Sequence, residues 1–130
     1  MGASENKQAV ADAYEAFGRG DIPAVIGMNA PDAVWVNHTL GSPLGGEFKG
    51  QDEIGGFFGL VGEHIEITEF DVAPIAAEGD IVVAAGRQTY TAKKTGKKVS
   101  GPVVHIYTFG PDGKVTRFEE FETGAEGVWA

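Results

Sequence analysis

Cysteine is absent from the 130 residues of this chain, and basic residues are scarce. The lack of cysteine excludes a disulfide scaffold, a zinc–thiolate site and a thiol nucleophile. Ten Lys and Arg residues stand against 19 Asp and Glu residues, which gives a formal net charge of −9. Binding to nucleic acid depends on Lys and Arg contacts with phosphates, so the sequence predicts no nucleic-acid partner. Acid/base chemistry remains as the enzymatic option.

Long apolar runs are also absent. No stretch of the sequence approaches the ~18 apolar residues of a membrane span. The first residues lack the charged and apolar regions of a signal peptide. We therefore expect a soluble, cytoplasmic protein that has no membrane partner.

Glycine, in contrast, is in excess, with 20 residues, about twice its usual share of roughly 7%. The glycines show no three-residue period, and aliphatic and aromatic residues lie between them, so neither collagen nor a disordered chain is expected. Many of them fall within residues 41–50, in a predicted third helix and at turns. A small, curved sheet needs tight turns at such places.

Two helices are predicted in the first 28 residues. Ser4 is the expected N-cap of the first helix, whose apolar side chains recur at helical spacing. This apolar stripe consists of Val10, Ala13, Tyr14 and Phe17. Asp21 is the expected N-cap of a second, short helix, and residues 29–32 are predicted to form a turn.

The middle of the chain predicts a strand, a loop and a third helix. Residues 33–39 are rich in residues that favour strands, and residues 39–50 form a glycine-rich loop. The third helix covers residues 52–62 and carries apolar side chains on one face. Phe57 lies on this face and is a candidate ligand-binding residue.

After residue 64 the hydrophobic pattern alternates, which is typical of strands. A change of parity near Thr68 and Glu69 predicts a β-bulge. Later strands joined by hairpins are predicted at 81–92, 99–109 and 114–123. The pattern therefore indicates an α+β fold, in which a strongly curved, antiparallel or mixed sheet packs against three N-terminal helices. Helices across the concave face of such a sheet would enclose a pocket.

Several short motifs follow one another in a particular order along almost the whole chain. They are Tyr14-Glu15-Ala16-Phe17, Gly20-Asp21-Ile22, Asp32-Ala33-Val34-Trp35, Phe48-Lys49-Gly50, Gly86-Arg87, Thr95-Gly96-Lys97, His105-Ile106-Tyr107 and Asp112-Gly113-Lys114-Val115. In this order and spacing the sequence resembles the nuclear transport factor 2-like superfamily, and within it the SnoaL-like and ketosteroid isomerase-like branch. The resemblance covers about residues 5–124, which predicts a single SnoaL-like domain over residues 1–130 with a short, flexible C-terminal tail.

The resemblance implies a cone-shaped sheet capped by helices, a deep apolar cavity and a homodimer formed through the outer face of the sheet. Members of this superfamily include isomerases, polyketide cyclases, dehydratases, epoxide hydrolases and proteins that only bind a ligand. Because one scaffold hosts such different activities, the fold alone does not give the function.

Candidate ligand-binding residues lie on the first helix and the first strand. Tyr14 stands where ketosteroid isomerase-like enzymes place a tyrosine that donates a hydrogen bond to an oxyanion, although it can equally be an aromatic residue of the core. Asn37 stands where those enzymes carry a catalytic aspartate, and an amide cannot act as a general base. Trp35 shares one face of the strand with Asn37, whereas Val36 and His38 share the other. Either face can point into the cavity; we take Trp35 as a cavity wall.

Two histidines are candidate bases. His105 shares a strand face with Val103, Tyr107 and Phe109, and a neutral imidazole there could accept a proton near pH 7. It could also be a core histidine whose hydrogen bonds are satisfied. His38 is a second candidate, although its strand face would equally suit an interface.

The last strand offers two alternatives. If Phe121 points inward, Thr123 shares its face; if Phe118 points inward, Glu120 and Glu122 do so too. Apolar burial would raise the pKa of such a carboxyl group. The resemblance implies an aspartate where Thr123 stands. We take Glu122 as a candidate catalytic residue, and Phe121 and Thr123 as candidate ligand-binding residues.

No metal site and no cofactor are predicted, because the three histidines lack metal-ligand spacing and no glycine-rich stretch matches a nucleotide-binding motif. Two hypotheses of function remain. The first is a cofactor-free acid/base enzyme, of isomerase, cyclase or dehydratase type, that acts on a small apolar or aromatic ligand. The alternative is a non-catalytic ligand-binding or dimeric interaction protein.

Overall fold

The computed structural model describes residues 2–39, 41–125 and 127–129. It contains three helices, α1 (Ala3–Gly18), α2 (Ile22–Gly27) and α3 (Gly50–His64), and six strands among the described residues. The strands are β1 (Asn29–Asn37), β2 (Gly46–Lys49), β3 (Ile65–Glu78), β4 (Ile81–Ala92), β5 (Lys98–Phe109) and β6 (Val115–Glu122).

Helix α1 begins two residues earlier than its capping signal predicts. Gly2 is the N-cap, and its backbone N–H donates to the Glu5 side chain at 2.8 Å, so the prediction of Ser4 as N-cap is wrong. The carboxylate of Glu5 near the N-terminus also interacts favourably with the helix dipole. The predicted apolar stripe is confirmed, because Val10 and Ala13 are buried and Tyr14 packs against the same core.

Helix α2 starts as predicted. The side chain of Asp21 accepts a hydrogen bond from the backbone N–H of Ala24 at 3.2 Å, and proline occupies the first turn. The predicted turn at 29–32 is instead the beginning of β1. Asn29 joins the two elements, since its amide nitrogen donates to the carbonyl oxygens of Val25 and Ile26, each at 3.1 Å.

Helix α3 extends beyond the predicted residues 52–62 at both ends. The four residues before it form β2, which lies inside the predicted loop and pairs antiparallel with β1. Strand β2 is short and mostly exposed, so it carries no alternating apolar pattern that a sequence would reveal.

The six strands form one sheet in the order β2-β1-β6-β5-β4-β3. Strands β1 and β6 are parallel, and all other neighbours are antiparallel, so the sheet is mixed. The sheet does not close, because β2 and β3 are its edges. The register of β3 with β4 shifts between Ile67 and Glu69, which confirms the predicted bulge. It shifts again between Pro74 and Ala76. Bulges increase the local twist and bend of a strand, which is what a cone needs.

The predicted α+β architecture is therefore confirmed. The helices pack on the concave face of the sheet, with the main helix–sheet contacts between α1 and β3 and between α3 and β1. Among the described residues, no helix combines the length and apolar character needed to cross a bilayer.

The C-terminal segment packs against the body of the protein. Ala125 and Val128 are each 6% exposed and belong to the hydrophobic core. The hydroxyl of Thr95 donates to the carbonyl oxygen of Val128 at 2.7 Å. These contacts involve residues 125 and 127–129, and the flexibility of the tail stays a prediction.

Candidate functional site

A cavity lies between the helices and the concave face of the sheet. Its volume is about 80 Å³, and its wall is largely aromatic. The aromatic residues without a hydroxyl are Phe17, Trp35, Phe57, Phe58, Phe70 and Phe118. An apolar cavity of about 150 Å³ holds benzene. A ligand with a ring therefore requires some of these side chains, or the helices that carry them, to move apart.

Trp35 and Phe57 form part of this wall, at the place that the sequence predicts. The rings of Trp35 and Phe118 have centroids 4.2 Å apart, and the ring of Phe57 meets Trp35 edge-on at 6.0 Å. The indole nitrogen of Trp35 donates to the side-chain oxygen of Asn29 at 2.7 Å, deep in the core. This hydrogen bond fixes the orientation of the indole ring, so Trp35 offers a rigid surface to a ligand.

A chain of hydrogen bonds crosses one side of the cavity. The Tyr107 hydroxyl donates to the Tyr14 hydroxyl at 3.0 Å, and the Tyr14 oxygen lies 2.7 Å from Nδ1 of His105. Nε2 of His105 lies 2.9 Å from Oε1 of Glu120. Because Tyr14 accepts from Tyr107, its own hydrogen is available for Nδ1, and Nε2–H then donates to the carboxylate. The network thus assigns His105 to the neutral tautomer that carries its proton on Nε2.

Within this series of hydrogen bonds, the phenol groups of Tyr14 and Tyr107 stay protonated. Burial raises the pKa of Tyr14 and of Tyr107 well above the usual value of a phenol. The imidazole of His105 is also buried, with 4% of its surface exposed. Among the described residues, no Lys or Arg lines the cavity, so Glu120 has His105 as its partner there. His105 is therefore oriented by side chains on both nitrogens and not by the backbone.

A second carboxyl group, that of Glu122, lies on the same face of β6. Its Oε1 is 2.8 Å from the Tyr90 hydroxyl and 2.9 Å from the Thr39 hydroxyl, and its Oε2 accepts from the Gln88 amide at 2.7 Å. Burial raises the pKa of the Glu122 carboxyl, and the negative charge of Glu120 acts in the same direction. Glu122 is therefore a second group with which the cavity could exchange a proton.

Asn37 is buried behind this carboxyl group and does not line the cavity. It is 5% exposed, and its side-chain oxygen accepts from both the backbone N–H and the hydroxyl of Thr39, at 3.0 and 2.7 Å. The predicted ligand-binding role of Asn37 is thus replaced by a contact with Thr39. Its inward orientation follows from strand alternation with Trp35.

Three predicted site residues lie away from the cavity. His38 and Phe121 stack on the opposite face of the sheet, with ring centroids 4.5 Å apart, and His38 Nε2 lies 2.8 Å from the Glu119 carboxylate. Thr123 is exposed. The physical reason is the parity of β6: because Phe118 points inward, Phe121 and Thr123 must point outward. Candidate roles for His38, Phe121 and Thr123 inside the cavity are therefore wrong.

Tyr14, His105 and Glu122, in contrast, all reach the cavity. Four other polar cavity residues are not among the site residues predicted from the sequence. Gln88 and Tyr90 bond to Glu122, Tyr107 bonds to Tyr14, and Glu120 bonds to His105. Tyr107 shares the strand face of His105, and Gln88 and Tyr90 share a face of β4, so strand alternation was the available signal. The cross-strand partners themselves could not be found without the register.

Among the described residues, no group of three His, Asp or Glu side chains is arranged to hold a metal ion. The polar groups of the cavity are satisfied by one another through the hydrogen bonds given above. What they can do chemically is accept and return protons within an apolar, aromatic enclosure.

Comparisons with known proteins add a family and several structures. A family model described as a SnoaL-like domain matches residues 10–118. No curated protein matches the chain. An NTF2-like protein of unknown function from Burkholderia pseudomallei is 35% identical, with a TM-score of 0.79 over 93% of this chain and 92% of that one. An NTF2-like protein from Burkholderia xenovorans is 27% identical, with a TM-score of 0.84 over 99% of this chain and 95% of that one. TerC, co-crystallised with polyporic acid, is 28% identical, with a TM-score of 0.72 over 91% of each chain.

Proposed function

Because this chain belongs to the SnoaL-like domain family, we propose that it binds a small apolar or aromatic molecule and acts on it as a cofactor-free acid/base enzyme. The reactions in question are isomerisation, cyclisation and dehydration, which require a proton to be removed and returned. One observation carries the proposal: the series of hydrogen bonds from Tyr14 through His105 to Glu120 lies at a cavity with aromatic walls.

The proton acceptor of this mechanism is His105, which acts through Tyr14. As the Tyr14 hydroxyl passes its hydrogen to Nδ1 of His105, its oxygen takes a proton from the ligand in the same step. The imidazolium that forms already faces the carboxylate of Glu120, 2.9 Å from Nε2. The opposite charges attract strongly in a buried site, and this attraction stabilises the protonated state.

The ligand class follows from the wall of the cavity. Trp35, Phe57 and Phe118 present flat, apolar surfaces that suit a planar ring system. TerC was co-crystallised with polyporic acid, and this supports a search among aromatic ligands. A carbonyl group next to a C–H bond is the functional group that acid/base chemistry of this kind can activate.

Proton exchange in D₂O tests the proposal without knowledge of the natural substrate. The probe is 2-tetralone, a ketone fused to an aromatic ring whose C1 protons are acidic because they lie between the carbonyl group and the ring, and ¹H NMR follows the loss of its α-protons. We expect the wild type to accelerate exchange and His105→Gln to slow this enzymatic rate by about 100-fold or more. His38→Gln is the matched control, because it removes a histidine from the outer face, and its rate should equal that of the wild type. Equal rates for His105→Gln and the wild type would refute the proposal.

The alternative, a non-catalytic binding protein, is favoured by the amide of Asn37 and the hydroxyl of Thr123, which stand where the family resemblance implies carboxylates. Its signature is binding without exchange. Trp129→Phe leaves Trp35 as the remaining tryptophan, so quenching of its fluorescence by 2-tetralone reports occupancy of the cavity. Quenching with no acceleration of exchange would replace the enzyme proposal with this alternative.

A homodimer formed through the outer face of the sheet is part of the proposal. Phe121 is 39% exposed on this face, and Ile81 is also exposed there. Exposed apolar side chains on one sheet face are typical of a protein–protein contact.

A further inference from the structure

The carboxyl group of Glu122 lies within hydrogen-bonding distance of three side chains, and the hydrogens around it can be counted. Tyr90 approaches Oε1 and Gln88 approaches Oε2, and both can donate. The third neighbour, the Thr39 hydroxyl, is 2.9 Å from Oε1 of Glu122. The same hydroxyl is 2.7 Å from the side-chain oxygen of Asn37. A hydroxyl carries one hydrogen, so Thr39 cannot donate to both.

The amide of Asn37 decides which neighbour receives that hydrogen. The backbone N–H of Thr39 lies 3.0 Å from the atom assigned as Oδ1 of Asn37. A backbone N–H can only donate, so this atom must be the oxygen and the amide cannot be flipped. The Thr39 hydroxyl therefore faces one fixed acceptor, Asn37, at the shorter of its two distances.

With an ionised Glu122, the contact between Thr39 and Oε1 would place two oxygens 2.9 Å apart with no hydrogen between them. With a hydrogen on Oε1, every contact is satisfied: Glu122 donates to Thr39, and Thr39 donates to Asn37. In the part of the chain that the structure describes, no Lys or Arg lines the cavity to compensate a charge on Glu122. The titratable groups that face the same space are Tyr14, Tyr90, His105, Tyr107 and Glu120.

We propose that Asn37 and Thr39 hold Glu122 as a neutral carboxylic acid, so that Glu122 is the proton donor of this cavity and His105 the acceptor. The inference rests on the proposed function and adds the second half of its proton transfer. Glu120, which pairs with His105, and Glu122 are two residues apart on one strand face, roughly 7 Å along the strand.

The proposed step balances. A C–H proton passes to the Tyr14 oxygen while the Tyr14 proton passes to His105. The proton of Glu122 leaves its hydrogen bond to Thr39 and passes to the carbonyl oxygen. The products are a neutral enol, an imidazolium at His105 and a carboxylate at Glu122. Tyr90 and Gln88 donate to this carboxylate, and return of the protons regenerates both groups. The substrate class is thus a neutral, enolisable aromatic carbonyl compound.

The Thr39→Val variant tests the direction of the hydrogen bond. Selective ¹³C labelling of glutamate allows the carboxyl carbon of Glu122 to be titrated by NMR, and its signal is identified by its loss in Glu122→Gln. If Thr39 accepts from the neutral acid, Thr39→Val removes that acceptor and the titration of Glu122 shifts to lower pH. If Thr39 donates to a carboxylate, the same variant shifts the titration to higher pH. A shift to higher pH overturns the inference.

Two further variants keep the test decisive. Thr39→Ser retains the hydroxyl and should titrate like the wild type. Asn37→Ala frees the Thr39 hydrogen to donate to Glu122, so its titration should also shift to lower pH; no shift in this variant contradicts the inference. These titrations need no substrate, so an upward shift in Thr39→Val would leave the His105 exchange result standing. Absence of exchange would refute the proposed function without altering the titration.

Discussion

At the scale of single residues, the sheet owes part of its shape to Gly86 in β4. A Cβ atom built on Gly86 would lie 1.8 Å from the carbonyl oxygen of Asp71 and 2.9 Å from Cα of Val72. Both atoms belong to the backbone of the neighbouring strand β3, so no change of side-chain rotamer can make room. Gly86 is also two residues from Gln88, which donates to Glu122. The close approach of these strands thus supports one wall of the candidate site.

We expect Gly86→Ala to lower the free energy of unfolding by about 3 kcal/mol, because the two strands must separate to admit a methyl group. Urea unfolding followed by circular dichroism measures this change. Gly59→Ala is the matched control in α3, where a Cβ would meet no atom within 4 Å. Alanine is the better helix former, so this control should raise the free energy of unfolding by about 0.5–1 kcal/mol. Similar effects of the two variants would contradict the account of Gly86.

At the scale of elements, Asn29 joins a helix to the strand that carries the cavity wall. It is 1% exposed, it donates to the last carbonyls of α2, and it accepts from the indole N–H of Trp35. Helix C-termini leave carbonyl oxygens without partners in the helix, and a buried indole N–H also needs an acceptor. One side chain satisfies both requirements, so the end of α2 and the position of Trp35 are coupled.

Asn29→Ala should therefore lower the free energy of unfolding by about 3 kcal/mol, since it leaves a buried donor and buried acceptors without partners. Asp21→Ala at the other end of α2 is the comparison. It removes an exposed N-cap, whose loss costs about 1 kcal/mol. Urea unfolding of both variants measures the difference. An Asn29→Ala variant that is no less stable than Asp21→Ala would show that the buried hydrogen bonds do not carry this junction.

At the scale of the whole molecule, the two faces of the sheet carry different sets of side chains. The concave face carries His105, Glu120 and Glu122, and the outer face carries His38 stacked on Phe121. The outer face exposes apolar surface that a monomer would leave in water. Burial of this surface against a second copy would stabilise the proposed dimer through the hydrophobic effect.

We expect the wild type to be a dimer at micromolar concentration and Phe121→Asp to be a monomer, because a carboxylate would be desolvated in the interface. Light scattering coupled to size-exclusion chromatography measures the mass. Lys94→Glu at the exposed β4–β5 hairpin is the control for a change of charge and should remain a dimer. A monomeric wild type would exclude this assembly.

The sequence by itself determined the order of the three helices and of five of the six strands, the bulge near Thr68 and the inward stripe of α1 that carries Tyr14. These features depend on residues that are close in sequence, and the periodicity of apolar residues over a short segment is enough to predict them. It also singled out His105 and Glu122 by residue type and strand face.

Only the tertiary structure decided which face of β6 lines the cavity. Alternation sorts Phe118, Glu120 and Glu122 from Phe121 and Thr123, but it does not say which set is inside. The partners that give the site its chemistry also required the fold, since Tyr14 meets His105 across 91 residues and Thr39 meets Glu122 across 83. Contacts between residues so distant in sequence depend on sheet register and helix docking, which no local pattern contains.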